Sequence, residues 1–393
     1  MLDIEKVPLE DLCDPARGIT YGIVKVGNFI PDGVPVIRGG DIRDNRIVFD
    51  NDKRVSQEVS NQFARTILRG GELVMNLISE SGHCAMVPES MCGFNVSRDV
   101  AVIALGESVN HSYVNWYLKS PAAIEWVTAR LSGSVTQKIN LGVLRQVPIP
   151  ILPPTHQSAI VDLLDALDDR ISINHRIAST ADSLRSALLN DARKLAPGDF
   201  VAQPLSHVAE FINGRAFTKD ATGHGRMVVR IAEMNSGPGP STVYNDIAVD
   251  EKHLARPGDV LFSWSGSLVV MRWFRPEAII NQHIFKVVPR AGNPLWLAFG
   301  AVQSKLADYR AVAADKATTM GHIQRRHLDE EVVVPGPEAI ARLGPQASTL
   351  WQRALIAEQE SLTLAALRDS LLPELMSGRL RVRDAEKVVE KAV

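Results

Sequence analysis

The chain has 393 residues and a net charge of −2, and 45% of its residues are hydrophobic. This length favours two or more domains, and the charge excludes a polycation that coats nucleic acid without regard to sequence. Cys13, Cys84 and Cys92 show no C-x-x-C spacing, which favours reduced thiols in a cytoplasmic protein. The N-terminus "MLDIEKVPLEDL" lacks the apolar segment of a secretion signal, and no apolar run reaches the length of about 18 residues that a membrane span needs.

Five segments of the first half return in the same order in the second half, and the offset between matched residues falls steadily from 196 to 184. A duplication followed by a few deletions produces such a trend. The matches pair Val7–Gly18 with Gln203–Gly214, Pro35–Ile42 with Met227–Met234, Arg69–Ser79 with Ala255–Ser265, Asn95 with Asn281, and Ile139 with Ile323. We therefore predict two copies of one domain, at residues 1–153 and 196–336.

Each copy shows short β-rich runs that end at Gly, Pro or Asn, such as "PVIRGGDI", "GELVMNLI" and "RQVPIPI" in the first copy. A helix is predicted at His111–Leu131, before the last strand, and its counterpart is predicted at Leu295–Ala314. Each copy is therefore expected to be an α+β domain with mixed strands.

Two long helices are predicted after the two copies, at residues 154–195 and 337–380, and a tail follows at 381–393. Residues at alternating spacings of four and three form the seam of a helix pair, with Asn174 at one seam position. The apolar seam residues are Ile160, Leu164, Leu167, Ile171, Ile177, Leu184 and Leu188 in the first helix and Leu350, Leu364, Leu371 and Leu375 in the second. An ordinary core helix is the alternative for either segment alone. Two helices in equivalent repeat positions, the first about 60 Å long, favour a spacer of paired helices.

No catalytic motif stands out, since G-x-G-x-x-G, the P-loop and H-E-x-x-H are all missing from the sequence. A methyltransferase would also need a cofactor-binding glycine loop and an Asn/Asp-Pro-Pro-aromatic motif, and the sequence has neither. His322 and His327 lack a third ligand, which is more typical of surface histidines than of a metal site. The run "SWSGS" at Ser263–Ser267 does not satisfy G-x-S-x-G. We therefore expect a binding protein and not an enzyme, with no metal and no cofactor of its own.

The chain resembles the specificity subunit of type I restriction–modification systems. Three segments carry the resemblance: Arg17–Ile47, Gly133–Ile160 and Leu367–Val382. The second is the most specific, with a Gly/Ser/Gln loop, a strand ending in P-x-P, and "PP-x-x-Q-x-x-I" at the start of a helix. The second copy departs from this pattern, because "VVVPGPEAIARL" lacks the Gln and Ile of that signature.

The resemblance implies two target-recognition domains, each reading one half of a bipartite sequence in double-stranded DNA. It also implies that the two long helices pair antiparallel as a coiled coil, set the distance between the half-sites and dock two methyltransferase subunits. Those partners would bring S-adenosylmethionine and methylate adenine. A separate motor–nuclease subunit would cut unmodified DNA, as in phage defence.

Sequence readout requires Arg, Lys, Asn, Gln, Ser or Thr side chains aimed at base edges, on loops that a rigid sheet supports. The loops Ser132–Lys138 and Lys316–Arg325 place polar residues just before the last strand of each copy. The candidate DNA-binding residues are Tyr21, Arg38, Arg43, Ser79, Ser134, Gln137 and Lys138 in the first copy, and Lys219, Arg230, Ser263, Ser265, Thr318, Thr319, His322 and Arg325 in the second. The alternative is a solvated surface position or, for Arg38 and Arg230, a structural salt bridge.

Two other functions stay open on the sequence. A protein–protein scaffold of two globular domains on a coiled coil, without any DNA role, fits the same repeat and helices. An enzyme with an unrecognised site is the third alternative, and activity of the purified chain alone would support it.

Overall fold

The computed structural model describes residues 4–25, 27, 30–43, 45–49, 53–78, 82–131, 138–290, 292–314 and 321–392. The strands of the first copy are β1 (Lys6–Pro8), β2 (Ile19–Tyr21), β3 (Val34–Ile37), β4 (Ile42–Arg43), β5 (Arg46–Ile47), β6 (Arg54–Val55), β7 (Leu73–Asn76), β8 (Cys84–Met86), β9 (Asn95–Val96), β10 (Val100–Ile103) and β11 (Pro148–Pro150). Its helices are α1 (Gln57–Gln62), α2 (His111–Leu118), α3 (Pro121–Thr128) and α4 (Leu141–Arg145), and the long helix α5 (Pro154–Leu195) follows.

The second copy has a related order of elements. Its strands are β12 (Phe200–Pro204), β13 (Ala209–Asn213), β14 (Arg226–Val229), β15 (Tyr244–Asn245), β16 (Leu254–Ala255), β17 (Val260–Ser263), β18 (Val270–Arg272), β19 (Ala278–Ile280), β20 (Ile284–Pro289) and β21 (Glu331–Pro335). Its helices are α6 (Leu205–Val208), α7 (Ile231–Ser236) and α8 (Leu295–Ala314), before the long helix α9 (Pro337–Met376) and the C-terminal helix α10 (Val382–Ala392).

The sheets confirm the repeat. A four-stranded sheet has the order β2-β10-β7-β8 in the first copy and β13-β20-β17-β18 in the second. The first and last strands of each copy pair antiparallel, as β1 with β11 and β12 with β21. A parallel pair also recurs, as β3 with β9 and β14 with β19. The predicted fold class, two α+β domains of mixed strands with a long helix following each along the chain, is confirmed.

Two matches of the repeat are wrong in register. The end of the first segment is displaced by four positions, because strand pairing makes Gly22 and not Gly18 the equivalent of Gly214. The match of Asn95 with Asn281 is displaced by two positions. The amide of Ser97 donates to the Ile37 carbonyl at 2.9 Å, and the amide of Asn281 donates to the Val229 carbonyl at 3.1 Å. Ser97 and not Asn95 is therefore the equivalent of Asn281. The sequence match paired two asparagines, but Asn95 has a different role: its buried amide binds the side chains of Thr66 and Ser60.

The helix predicted at His111–Leu131 is two helices, α2 and α3. Pro121 begins α3, and its ring and missing amide hydrogen are unsuited to a helix interior. The hydroxyl of Ser120 accepts a hydrogen bond from the Ala123 amide at 3.4 Å and caps the new helix. The counterpart α8 has no proline within Leu295–Ala314 and stays continuous for 20 residues.

A close approach of two chain segments recurs at Gly22 and Gly214. A Cβ on Gly22 would lie 1.9 Å from the Val96 carbonyl oxygen, and one on Gly214 would lie 2.1 Å from the Asn281 carbonyl oxygen. Only glycine fits where the backbones approach this closely. The equivalent glycines therefore keep the segment after β2 or β13 against the end of β9 or β19.

The chain divides into two compact units. Unit 1 comprises Met1–Asp169 and Ala365–Val393, and unit 2 comprises Arg170–Leu364. Each unit therefore holds one copy of the domain and a part of both long helices. No described helix has the combination of length and apolar character that crossing a bilayer would take.

The buried positions of α5 give the observed seam. Apart from Val161, they are Ile160, Leu164, Leu167, Ile171, Asn174, Ala178, Ala181 and Arg185, which keep alternating spacings of four and three. In the second long helix the buried positions include Leu364, Leu371 and Leu375, while Leu350 is half-buried. In unit 2 the two helices run antiparallel, since Arg170 pairs with Glu360 at 2.6 Å and Ala181 belongs to a cluster with Ala354 and Ala357.

The predicted seam is wrong at Leu184, which is 53% exposed. The seam passes one residue later, through Arg185, which is 1% exposed. Its guanidinium lies over the rings of Phe299 and Trp351, at 5.1 and 5.8 Å from their centroids. Ile177 is half-buried beside the seam residue Ala178, and Leu188 packs against the core of unit 2. The seam was predicted by searching for apolar residues at spacings of four and three. Such a search cannot select an arginine, so it selected the apolar neighbour Leu184 instead of Arg185.

All three cysteines carry free thiols. Burial raises the pKa of Cys84 to about 12, so its thiol stays protonated and unreactive at neutral pH. This thiol therefore fits the expectation that the cysteines are reduced.

Candidate nucleic-acid interface and helix pair

Five chain segments of unit 1 meet at one edge of the domain. An isolated parallel bridge joins Ile23 to Ser97, and an isolated antiparallel bridge joins Ile78 to Lys138. The segment after β3 reaches the same place, because the amide of Gly39 donates to Asp99 Oδ2 at 3.0 Å. Backbone hydrogen bonds between strand ends therefore fix this edge, which suits a site whose side chains must hold their positions.

Two adjoining hollows open at this edge. The first is lined by Ile23, Val24, Arg38, Gly40, Lys53, Asn76, Ile78, Ser97, Arg98 and Asp99. The second is lined by Tyr21, Val24, Leu77, Ile78, Arg98, Lys138, Ile139, Asn140 and Leu141. Both linings include Val24, Ile78 and Arg98, so the hollows form one continuous concave surface. We call it the basic groove, after its four cationic residues Arg38, Lys53, Arg98 and Lys138.

Three predicted site residues line the basic groove. Tyr21 is 50% exposed and offers an aromatic face beside Lys138. The guanidinium of Arg38 lies 3.6 Å from Asp41, and its side chain keeps 43% of its surface exposed. The salt bridge considered for Arg38 is thus present, but it leaves much of the side chain at the groove surface. Asp99 is the one carboxylate in the two linings, and it accepts hydrogen bonds from Gly39 and Ser97.

The remaining predictions in the first copy lie elsewhere. Arg43 is exposed at the end of β4 and is not among the groove-lining residues. Ser79, Ser134 and Gln137 lie outside the described residues, so no geometry is assigned to them. The sequence reasoning missed Lys53 and Arg98. Arg98 follows the short strand β9 in the turn "VSRD", and this position just beyond a strand end was the available signal.

The same edge exists in unit 2. An isolated bridge joins Ser265 to His322, and the amide of Ile323 donates to the Trp264 carbonyl at 3.0 Å. In unit 1 the amide of Ile139 donates to the Leu77 carbonyl at 2.9 Å. Ser265 and His322 are therefore the equivalents of Ile78 and Lys138, and the structure brings these two predicted residues together.

Arg230 is held in a salt bridge, the alternative considered for it from the sequence. Its guanidinium contacts Glu233 at 2.5 Å and donates to the Ser241 carbonyl at 2.7 Å. The hydrogen bond to Glu233 raises the pKa of Arg230. Burial favours a higher pKa for Glu233, but the hydrogen bonds from Arg230 and Thr242 keep that pKa below its usual value. This side chain thus supports the start of α7 and the loop that follows it.

Ser263 also serves the local structure. It is 0% exposed, its hydroxyl donates to the Ser267 carbonyl at 2.7 Å, and it accepts from the Val269 amide at 2.8 Å. Ser265 is 4% exposed, whereas Lys219 and Arg325 are exposed. Thr318 and Thr319 lie outside the described residues.

Unit 2 carries less charge at the positions equivalent to the basic groove. Strand register shows which positions are equivalent in the two copies. In unit 2, Arg230 takes the place of Arg38, Val243 that of Lys53, Gln282 that of Arg98 and His322 that of Lys138. The two copies share a backbone frame but present different side chains from it. Different side chains on one frame can read different base pairs.

The two histidines considered as metal ligands have separate surroundings. His327 Nδ1 accepts a hydrogen bond from the Gln324 amide at 3.0 Å, which supports the short helical turn before β21. His322 belongs to the bridge with Ser265. Over the described ranges, no group of three or more His, Cys, Asp or Glu side chains is placed to hold a metal ion.

Arg272, at the end of β18, connects the sheet of unit 2 to both long helices. It is 3% exposed. Its guanidinium donates to Glu358 on α9 at 2.8 and 2.9 Å and to Asp182 on α5 at 3.2 and 3.3 Å. It also lies 4.5 Å from the centroid of the Trp351 ring. Burial favours a lower pKa for Arg272, but the hydrogen bond and charge of Glu358 raise it above the usual value.

A related arrangement occurs in unit 1. Asp168 on α5 accepts from Arg368 on α9 at 2.6 Å and from Arg46 on β5 at 3.1 Å. Burial favours a higher pKa for Asp168, but the two arginines hold the pKa below its usual value. In each unit, therefore, one charged residue links the sheet domain to both helices.

Comparison with known proteins identifies related sequences and folds. Residues 1–181 match the family model described as type I restriction modification DNA specificity domain. The chain is 25% identical over 218 residues, 54% of its length, to the type I restriction enzyme EcoBI specificity subunit of Escherichia coli, and that match spans only 45% of the relative. The crystal structure of a type I restriction-modification system S subunit from M. genitalium aligns with a TM-score of 0.56 at 14% identity, covering 95% of this chain and 97% of the other. The likeness to that structure shows a common fold.

Proposed function

We propose, from the match of residues 1–181 to the family model described as type I restriction modification DNA specificity domain, that the chain is the DNA-reading subunit of a type I restriction–modification complex. Each copy of the domain reads one half of a bipartite target in double-stranded DNA. The chain itself is non-catalytic and acts in the cytoplasm. Methylation is carried out by two methyltransferase subunits that dock on the long helices and bind S-adenosylmethionine, and a motor–nuclease subunit joins them.

The observation that carries this proposal is the basic groove of unit 1 and its equivalent edge in unit 2. The groove gathers Arg38, Lys53, Arg98 and Lys138 on a rigid edge, in a chain whose net charge is −2. Cations concentrated at one concave surface suit contacts with DNA phosphates. The exposed ring of Tyr21 and the side chain of Asn140, which also lines the groove, supply groups that can contact bases or sugars.

A binding experiment on Lys138 tests the groove. The full chain, purified with the subunits that bind it, is titrated against its own target duplex at several salt concentrations. Lys138→Ala should weaken binding and reduce the slope of log K against log salt by about 1, as expected when one phosphate contact is lost. Lys387→Ala removes an exposed lysine from α10 and is the matched control. Equal affinity and equal salt slope for Lys138→Ala and the control would argue against DNA binding at the groove.

The spacing role of the helices has its own test. Deleting seven residues from each long helix, at facing positions, keeps the seam in phase because the seam repeats every seven residues. The helices shorten by about 10 Å, which is about three base pairs of duplex. Mapping methylated adenines in a host that carries the shortened chain should reveal the same half-sites about three base pairs closer together. Unchanged spacing would refute the proposed spacer, and absence of any methylated motif in the unaltered host would favour a scaffold without a DNA role.

A further inference from the structure

Arg98 occupies the middle of the basic groove. It belongs to the linings of both hollows, with Arg38 and Lys53 in one and Lys138 in the other. A duplex bound in the groove would bring its two phosphate backbones to the flanks and its base edges to the middle. Arg98 is therefore placed for a different kind of contact than the three cations on either side.

The backbone around Arg98 is fixed on three sides. The Arg98 amide donates to the Ile23 carbonyl at 3.0 Å, and the amide of Leu77 donates to the Asp99 carbonyl at 2.8 Å. The amide of Ser97 donates to the Ile37 carbonyl at 2.9 Å. The exposed side chain thus starts from a position that three neighbouring segments hold. Bidentate hydrogen bonds to a base need such placement, because small displacements break one of the two bonds.

Unit 2 places Gln282 at the same point of the frame. The amide of Trp264 donates to the His283 carbonyl at 3.2 Å, as Leu77 does to Asp99, and Asn281 is bridged to Arg215 as Ser97 is to Ile23. The Gln282 side chain is exposed. The two copies therefore differ at this central position by the exchange of a guanidinium for an amide.

We infer that Arg98 and Gln282 are the equivalent base-reading residues of the two half-sites, Arg98 selecting a guanine and Gln282 an adenine. Arginine can donate two hydrogen bonds to guanine O6 and N7, and glutamine pairs in the same bidentate manner with adenine N6 and N7. The inference rests on the proposed function, since it assigns bases to a DNA-reading surface. It goes further by naming one residue and one base type for each half.

The test is selection of bound sequences from a pool of randomised duplexes by the full chain with its copurifying subunits. The unaltered protein should enrich a bipartite motif; an unenriched pool would overturn the proposed function itself, before any variant is examined. Arg98→Gln should shift one guanine of one half-site towards adenine, with a change in preference of about 10- to 100-fold, and leave the other half-site unchanged. Gln282→Arg should shift one adenine of the other half-site towards guanine.

Two further variants separate base reading from general attraction. Arg98→Lys keeps the charge but loses the planar fork, so it should retain binding to random DNA and lose the guanine preference. Arg69→Gln removes an exposed arginine that does not line the groove and should leave motif and affinity unchanged. An unaltered motif in Arg98→Gln, with binding uniformly weaker or unchanged for all sequences, would overturn the inference and make Arg98 at most a phosphate contact. The melting temperature of each variant is also measured. A value equal to that of the unaltered protein shows that a changed motif does not arise from misfolding.

Discussion

Replacing Arg272 by Met tests how the sheet of unit 2 is joined to its helices. Methionine keeps most of the side chain's length and apolar bulk but removes the charge that Asp182 and Glu358 share. Breaking a buried ion pair from one side costs about 3–5 kcal/mol, since the remaining charges lose their partner. The two carboxylates are 31% and 21% exposed, so water relieves part of this cost. We therefore expect a loss of about 3 kcal/mol, at the lower end of that range.

Urea unfolding of the full chain at pH 7, followed by tryptophan fluorescence, measures this loss. The deficit should shrink as the pH is lowered towards about 5. Burial raises the pKa of Glu358 above its usual value, so Glu358 favours the folded state at low pH and this contribution is lost as the pH rises through its folded pKa. Arg272 opposes this rise in the pKa of Glu358, so its removal raises that pKa further. Lowering the pH therefore stabilises the variant more than the parent.

A neutral version of the whole cluster is the control. Combining Arg272→Met with Asp182→Asn and Glu358→Gln leaves no charge unpaired and should recover most of the loss. A change below about 0.5 kcal/mol in the single variant, the size of an ordinary surface substitution, would refute the reasoning. So would a combined variant that is no more stable than Arg272→Met.

Three further substitutions test other parts of the structure. Asp168→Asn should lower stability at pH 7 but make the stability less sensitive to acid. The pKa of Asp168 is held below its usual 3.8, so its stabilisation is present above that value and is lost as the pH falls through the folded pKa. Equal dependence of stability on pH in variant and parent would contradict this. Leu184→Ala should lower the free energy of unfolding in urea by less than about 0.5 kcal/mol, because Leu184 is 53% exposed. Leu164→Ala should lower it by about 2–5 kcal/mol, because Leu164 is 0% exposed. Equal losses would show that Leu184 is a seam residue, as the sequence predicted. Gly22→Ala should cost about 3 kcal/mol or more, because its Cβ would lie 1.9 Å from a carbonyl oxygen; a normal melting temperature would disprove that close approach.

The repeat was the most informative feature of the sequence, and it predicted the fold because a duplicated domain preserves its hydrophobic strands and its Gly and Pro turns. Where it failed, residue identity misled. Asn95 and Asn281 are the same residue type, but one binds a buried hydroxyl pair and the other follows a strand end. Hydrogen bonds of the backbone fix register, and a single sequence does not display them.

The site could be predicted only in part for a related reason. Tyr21, Arg38 and Lys138 were candidates from the sequence, and they do line one groove. Arg98 was missed because a lone arginine in a turn resembles any solvated residue until five distant segments are folded together. Ser263 was proposed from its type, although its buried hydroxyl is used by its own turn. Burial and hydrogen-bond partners separate such residues, and both depend on tertiary structure.

The contact between Ile4 and Gly378 has a consequence for the order of the chain. A Cβ on Gly378 would lie 3.4 Å from Ile4 Cδ1, so the end of the second long helix lies beside the approach to the first strand. In the first copy the corresponding link, from Leu195 to Phe200, is made by residues 196–199 alone. The end of each long helix is therefore followed in the chain, or adjoined in space, by the first strand of a copy. A circular permutant that joins Gly378 to Ile4 through such a link, and opens instead at residues 196–199, would retain every strand pairing and both long helices.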